Sequence, residues 1–277
     1  MISFFGRGSY IGKSHSRHAL ESSRKRMSSK IRAEEMSEYL GAKYNPTEGY
    51  ENDVRIYVKP LDLNGISDES YVDYLDGDMS YRWFRSRPGV KVIAASRHSY
   101  DFLKSHLRNQ VILIPQHHLN FERARRDRKT ITVGGYTGVP SGEAFKRYEE
   151  VTARLKEIGV DFVTSYFFKT REDALDFYKS IDILVIADWD SKNHHFRIPT
   201  KIINAGSFGI PTVASPMLGN EEELKGYYVE ARNMDELVEG VKKLKDESYY
   251  NEVSKKILGL SERYHISVIS EYYKKLT

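Results

Sequence analysis

Pro199-Thr200-Lys201-Ile202-Ile203-Asn204-Ala205-Gly206-Ser207-Phe208-Gly209-Ile210-Pro211-Thr212-Val213-Ala214-Ser215 is the stretch on which the reading of this chain turns. It predicts a helix start, a helix of small residues, a Gly-Ile-Pro break and a short buried strand. Pro199 suits a first helical turn, where its missing N–H leaves no bond unmade. Arg197 and Lys201 flank that turn, and the exposed N–H groups and dipole of a helix start attract an anion. Ala205, Gly206 and Ser207 let another backbone or a ligand come close. A βαβ unit in any doubly wound protein carries small residues and Gly-x-Pro too, so the flanking segments decide.

Upstream, Ile183-Leu184-Val185-Ile186-Ala187 is an apolar strand, preceded by a helix over Arg171–Ser180 and a strand over Asp161–Thr164. Phe145, Tyr148, Val151, Leu155 and Ile158 recur at spacings of three and four, one apolar helix face. Thr130-Ile131-Thr132-Val133 predicts a strand running into the glycine turn Gly134-Gly135-Tyr136-Thr137-Gly138. Downstream, Leu237, Val238, Val241 and Leu244 line a late helix, and Tyr249 to Leu276 reads as helix again. The N-terminal part alternates in the same way. Its strands are expected at Ile2–Phe5, Val54–Val58, Tyr71–Leu75, Val90–Ser96 and Val111–Ile114, with a long helix from about Ser14 to Leu40. Apolar strands separated by helices argue for parallel sheets covered on both faces. Two such arrays join near residue 122.

The signature run resembles the donor-site helix of the GT-B glycosyltransferases, whose usual pattern is Pro-x-Lys-x-x-Glu-Ala-x-Ala-x-Gly-x-Pro-Val-Val-Ala. Ser96 through Leu119 looks like that family's last N-domain unit, and Ile131–Gly138 like its glycine-bearing first strand-loop of the donor domain. Ala174–Ala187 resembles the helix-Asp-strand unit before the donor-site loop, and Glu221-Glu222 stand where the family often carries a Glu. The resemblance implies an α/β fold of two Rossmann-like domains with a cleft between them. Residues 1–122 would form the acceptor side and 123–277 the nucleotide-sugar domain, the last helix packing back on the first. It implies a hexosyltransferase-like enzyme that moves a sugar from a UDP- or GDP-linked donor to an acceptor hydroxyl, with no metal or other cofactor. A catalytically inactive, nucleotide-sugar-binding or scaffold member is one alternative, and a transferase acting on modified bases in DNA another.

A departing nucleotide diphosphate that has no metal needs cationic side chains and helix N-terminal N–H groups. Arg197 and Lys201, four apart, supply a fork for two phosphate oxygens and a point charge. Gly134 and Gly135 in the strand-loop join them on the nucleotide side. So do Asp188 and Trp189, at the carboxyl end of the strand 183–187, where open α/β sheets bind ligands. The indole would stack on a ring and the carboxylate would hold hydroxyls. Asn204 stands where retaining members carry a ribose-binding Glu, and an amide still bonds a hydroxyl. Phe196 stands where they carry a Glu near the sugar, which a phenyl ring does not replace, so the anomeric outcome is open. For an acceptor base the candidates are Asp76 and Asp78, after the third strand, and His15 with His18, at the start of the first helix. Asp76-Gly77-Asp78 serves equally as a turn. His117 and His118, at the junction, are expected to line the cleft. His194-His195 are adjacent, point apart in regular structure and have no further ligand cluster, which argues against a metal.

Composition bounds these readings. Of 277 residues 40% are hydrophobic and 30% charged, the balance of a globular protein. There is no cysteine, which excludes disulfides, thiolate nucleophiles and Cys-based metal sites. Apolar runs are strand-sized, and the start reads as a first strand rather than a secretory leader, so a cytoplasmic protein is expected. Charge is uneven. Residues 1–129 hold 23 Lys/Arg against 16 Asp/Glu and the remainder 20 against 23, which together give the net +4. Lys13 to Arg32 carries seven basic residues and one acid, and Arg123 to Lys129 is a second basic cluster. Such runs form solvated faces or attract an anionic acceptor, a membrane surface or nucleic acid. Peripheral membrane attachment through Lys13–Arg32 is the expectation. Oligomeric state is not readable.

Overall fold

Parallel strand pairing accounts for both sheets of the chain. The computed structural model describes residues 1–6, 30–60, 63, 65–75, 81–126, 130–138, 143–189, 196, 198–217 and 222–277, with only the backbone of 143–145. In chain order the first elements are β1 (Ile2–Phe5), a π-helical turn (Ile31–Glu35), α1 (Met36–Leu40), β2 (Lys43–Tyr44), β3 (Val54–Val58) and β4 (Tyr71–Asp73). Next come α2 (Arg82–Arg85), β5 (Lys91–Ala94), α3 (Arg97–His106) and β6 (Val111–Leu113). Then follow β7 (Val133–Thr137), α4 (Glu143–Glu157), β8 (Asp161–Ser165), α5 (Arg171–Ser180), β9 (Ile183–Ile186), α6 (Thr200–Ser207) and β10 (Thr212–Ala214). The last are β11 (Val229–Glu230), α7 (Met234–Leu244), α8 (Glu247–Ser261) and α9 (Ile266–Lys274).

The chain divides into two units. The first is Met1–His117 with His195–Ile198 and Ile266–Thr277; the second is His118–His194 with Pro199–His265. Against the expected 1–122 and 123–277, the division falls between His117 and His118. Two hydrogen bonds account for it: the Leu119 N–H donates to Asn204 Oδ1 at 3.0 Å, and Asn120 Nδ2 donates to the Ser207 carbonyl at 2.8 Å.

The first unit's sheet runs β2-β1-β3-β4-β5-β6, every pair parallel. Tyr57, Val72, Phe84, Val92 and Leu103 form the core beneath α2 and α3. Phe4 meets Tyr273 of α9 edge to face at 5.4 Å between ring centres. Of the expected helix 14–40, the described part opens with the π-helical turn. Such a turn holds one residue more than an α-turn, and it carries the buried Arg32.

The second unit's sheet runs β11-β10-β9-β7-β8, again all parallel. All four residues of β9 are buried because both faces are covered. Tyr178, Ile203, Phe208 and Ile257 pack on one face, and Val151, Leu155, Leu237 and Val241 on the other. Helix starts are fixed locally: Thr170 and Asp173 form a capping box on α5, and Asn233 and Asp246 cap α7 and α8.

One expected strand is corrected. The sequence predicts a strand over 130–133 and a turn at Gly134-Gly135, but β7 starts at Val133 and passes straight through both glycines. A Cβ on Gly135 would lie 2.5 Å from Ile181 Cγ2 and 3.0 Å from Phe177 Cζ. Glycine there lets α5 approach the sheet, a packing use of glycine inside a strand.

Gly206 does the same for a helix pair. Its Cβ would fall 2.3 Å from Ile257 Cγ1 and 2.6 Å from Ser261 Oγ, where α6 meets α8. Gly206→Ala is expected to cost about 1–3 kcal/mol, the range for overpacking. Combined with Ile257→Ala the loss should be smaller than the sum of the two single losses. Thermal denaturation of the three variants measures this; strict additivity would contradict the contact.

Candidate functional site

In the second sheet the strand order reverses between β7 and β9. β8 lies on one side of β7, and the chain returns to its other side with β9. Loops leaving the carboxyl ends of such a pair diverge, which opens a crevice for a ligand. Tyr136 comes from β7 and Gly138 directly follows it, Asp188 and Trp189 follow β9, and Ser215 follows β10.

α6 begins beside this point. Pro199 is its N-cap and supplies no side-chain cap, so no side chain of that residue occupies the first N–H groups. Thr200 Oγ1, in the same turn, is buried without a hydrogen-bond partner among the described residues. Lys201 follows. Its Nζ donates to Tyr136 Oη at 3.0 Å and lies 4.3 Å from the centre of that ring. Gly138 has φ +112°, a conformation glycine adopts at little cost, and a Cβ there would sit 2.9 Å from Lys201 Nζ. Glycine at 138 therefore makes room for the ammonium.

Behind Lys201 is a stack of aromatic rings. Tyr136 packs on Tyr148 with centroids 4.0 Å apart. Tyr148 Oη accepts the Ala187 N–H at 3.2 Å. Burial, then the charge of Asp188, pushes the Tyr148 hydroxyl well above the usual tyrosine range, so it stays a neutral hydrogen-bonding group. The Asp188 N–H donates to Ser215 Oγ at 3.1 Å. Arg147 donates to the Ala187 carbonyl at 2.8 Å and lies 5.1 Å over the Trp189 ring. A cavity of about 390 Å³ beside that indole is lined by Lys146, Arg147, Glu150, Asn233 and Met234.

The sequence-predicted residues are thus partly brought together. Lys201, Asp188 and Trp189 belong to this end of the sheet. Gly134 and Gly135 are strand residues that serve packing, and Gly138 is the glycine beside the lysine. Asn204 is 8% exposed and uses Oδ1 to accept the Leu119 N–H, which leaves its Nδ2 and the second lone pair of Oδ1 for a ligand hydroxyl. Phe196 meets Tyr74 at 5.0 Å and Phe102 at 5.2 Å edge to face, as part of the first unit's aromatic core. His117 Nε2 bonds the Ile31 carbonyl at 3.2 Å, and His118 Nδ1 accepts the Asn120 N–H at 3.2 Å. Both histidines are buried and hold backbone. In the second basic cluster Arg123 pairs with Glu262 and Arg126 with Asp182, so these two cations have partners inside the protein. Arg197, Asp76, Asp78, His15, His18, His194, His195 and most of Lys13–Arg32 lie outside the described residues. Among the described residues no three His, Asp or Glu side chains gather as a metal-ligand group.

Tyr136, Tyr148, Gly138 and Ser215 were missed as site residues. Tyr136, Gly138 and Ser215 stand at strand ends, a signal that the misplaced β7 obscured for the first two; Tyr148, inside α4, carries no such signal.

No family model matches the sequence, and no curated protein matches it by sequence. Solved structures match by fold. WaaG, a glycosyltransferase involved in lipopolysaccharide biosynthesis, is similar at TM-score 0.58 and 8% identity over 100% of this chain and 99% of that one. HepE of Anabaena, solved with UDP and glucose, is similar at TM-score 0.57 and 11% identity over 99% and 98%. The pneumococcal O-GlcNAc transferase GtfA, solved with UDP and GlcNAc, is similar at TM-score 0.53 and 12% identity over 80% of this chain. This chain spans just over half the length of GtfA and about half that of TarM. The fold is that of the GT-B glycosyltransferases.

Proposed function

We propose that the chain is a glycosyltransferase that moves a hexose from a UDP- or GDP-linked donor to an acceptor hydroxyl, the second unit holding the nucleotide. The observation that carries this reading is the placing of Lys201. Its ammonium is fixed by Tyr136 and by the space over Gly138, at the start of α6 and at the strand-order reversal. A cation there, with helix N–H groups that Pro199 does not cap and the Thr200 hydroxyl, suits the charge that grows on a departing diphosphate. HepE and GtfA, which share the fold, were solved with UDP.

In this reading Lys201 and Arg197 hold the diphosphate, so that its departure needs no metal. Trp189 offers a ring edge, Asp188 a carboxylate and Asn204 its Nδ2 for donor hydroxyls. Asp76, Asp78 or His15 takes the proton of the acceptor hydroxyl as its oxygen attacks the anomeric carbon and the bond to the diphosphate breaks.

Lys201→Ala is expected to weaken nucleotide binding by about 1.5–3 kcal/mol, the scale of a charged hydrogen bond. Titration calorimetry with UDP and GDP measures it, and unchanged affinity would remove Lys201 from the site. A panel of nucleotide sugars tested by thermal shift, then by product formation, tests the activity itself. Saturation at a hundred times Kd should stabilise by about 2.7 kcal/mol.

A second reading, nucleotide-sugar binding without transfer, is favoured by Phe196 and Asn204. One gives its ring to the core and the other its carbonyl to the backbone, where the resemblance expects two acids. Stabilisation by a nucleotide sugar with no product from any acceptor hydroxyl would select it.

A further inference from the structure

The sequence expectation for an anionic partner fell on Lys13–Arg32, yet the described residues carry another cationic surface. Between Tyr81 and Asn109 stand seven Lys/Arg and a single acid, Asp101. That acid is paired with Arg97 at the start of α3, 3.0 Å away, and Asp68, which precedes β4, pairs with Arg87 at 2.9 Å. At the other end of the helix Arg82, Arg85, Lys104, His106 and Arg108 are all exposed. Arg85 Nε donates to the His106 carbonyl at 3.4 Å, which joins α2 to the end of α3.

Cations at a helix C-terminus complement its dipole, and this explains Lys104, His106 and Arg108. It explains Arg82 and Arg85 less well: they stand in the last turn of α2, a helix of only four residues with few aligned peptide dipoles. Aromatic rings lie directly beneath the charges. Arg85 sits 5.6 Å over Tyr81 and Arg87 5.4 Å over Trp83, while Phe102 stacks on His106 at 4.1 Å. Tyr81 and Trp83 are half-buried, so they back the guanidinium groups rather than project past them.

We propose that this face of α2 and α3 docks the first unit on the surface of a bilayer that contains anionic phospholipid. Charge complementarity selects an anionic partner. The amphipathic underlay selects a membrane: Tyr and Trp favour the headgroup level, and Arg stems lie along apolar surface with their heads in the polar layer. Nucleic acid is less well matched, because α2 has only four residues and presents no helix or ribbon long enough to enter a groove. Attachment would be peripheral, since no helix among the described residues is long and apolar enough to cross a membrane.

The test uses the full chain and vesicles of phosphatidylcholine with or without 30% phosphatidylglycerol, at about 0.15 M salt, where surface charges are screened beyond about 8 Å. Cosedimentation is expected only with the anionic vesicles. Arg82→Glu, Arg85→Glu and Arg108→Glu together should weaken partitioning about 100-fold, each lost contact being worth a factor of about five. A second measurement does not depend on that variant folding. The chain has two tryptophans, Trp83 and Trp189, so Trp189→Phe leaves Trp83 as sole reporter. Lipids brominated near the headgroup should quench it in anionic vesicles only. Wild-type affinity in the charge-reversed protein, vesicle binding without Trp83 quenching, or binding of duplex DNA with no binding of vesicles would each overturn the proposal. None of these readouts depends on the donor site.

Discussion

Arg32→Met is expected to destabilise the first unit by about 3–5 kcal/mol, the cost of leaving one member of a buried ion pair alone. Arg32 is 1% exposed and Asp73 fully buried, with Arg32 Nε 2.6 Å from Asp73 Oδ2. The guanidinium also donates to the Ile114 carbonyl at 2.9 Å, so one side chain ties the π-helical turn to β4 and to the end of β6. Asp73→Leu should cost a similar amount for the mirror-image reason, an arginine left in a dry core. The pair together, Arg32→Met with Asp73→Leu, should recover most of the loss, because a well-packed apolar pair needs no desolvation. Tyr273 reports the same environment. Its hydroxyl is raised above the usual tyrosine range chiefly by burial, against an opposing pull from the Arg32 charge. Urea unfolding followed by Trp83 fluorescence in the Trp189→Phe background measures the first unit. Single variants that lose less than about 1 kcal/mol would show that the pair contributes little beyond its shape.

Asp182→Ala should have a comparable effect on the second unit. The carboxylate is buried and accepts four hydrogen bonds. Oδ2 takes the Thr132 and Val133 N–H groups at 2.9 Å each and the Thr132 hydroxyl at 3.2 Å, and Oδ1 takes Arg126 at 3.1 Å. Alanine would remove the acceptor of two part-buried N–H groups and of Arg126 Nη2, while Arg126 Nε keeps the Ile181 carbonyl, at about 1 kcal/mol or more per group. Asp182→Asn keeps one acceptor oxygen and gives up the charge, so its loss should be smaller. Because Asp182 fixes where β7 begins, the alanine variant should also loosen Tyr136 and through it Lys201. Hydrogen exchange of the β7 amides, alongside a denaturation midpoint read from Trp189 in a Trp83→Phe background, checks both. Unaltered protection at Thr132 and Val133 would show that other contacts set the start of the strand.

The GT-B fold was legible because its signals are local. The helix 143–157 announces itself through Tyr148, Val151 and Leu155, an apolar face at spacings of three and four, and the strand 54–58 through five residues of near-continuous β-branched and aromatic character. β7 was misread because glycine inside a strand looks like a turn until the helix it admits is known. That helix, α5, supplies Phe177, and Ile181 follows it, more than forty residues away. β2 and β11 are two-residue strands, with too few residues for a pattern. The Arg32–Asp73 pair spans 41 residues, and nothing at either position marks the other. At the candidate site Lys201 stood out because a helix start and a basic residue coincide. Tyr136 and Tyr148 did not, being two of twenty tyrosines distinguished only by what they touch.

The membership of α9 in the first unit bears on how this protein is made. Phe4 leaves the ribosome well before Tyr273, which packs on it. At about 5–20 residues per second, β1 waits roughly 15–50 s for the helix that completes its core. The second unit is nearly one continuous stretch, 118–265 less four residues, so its core can close while the first still lacks a wall. Synthesis order and folding order should therefore run opposite to each other. A chain truncated after residue 265 and released should resist protease in its second unit and be cut in its first.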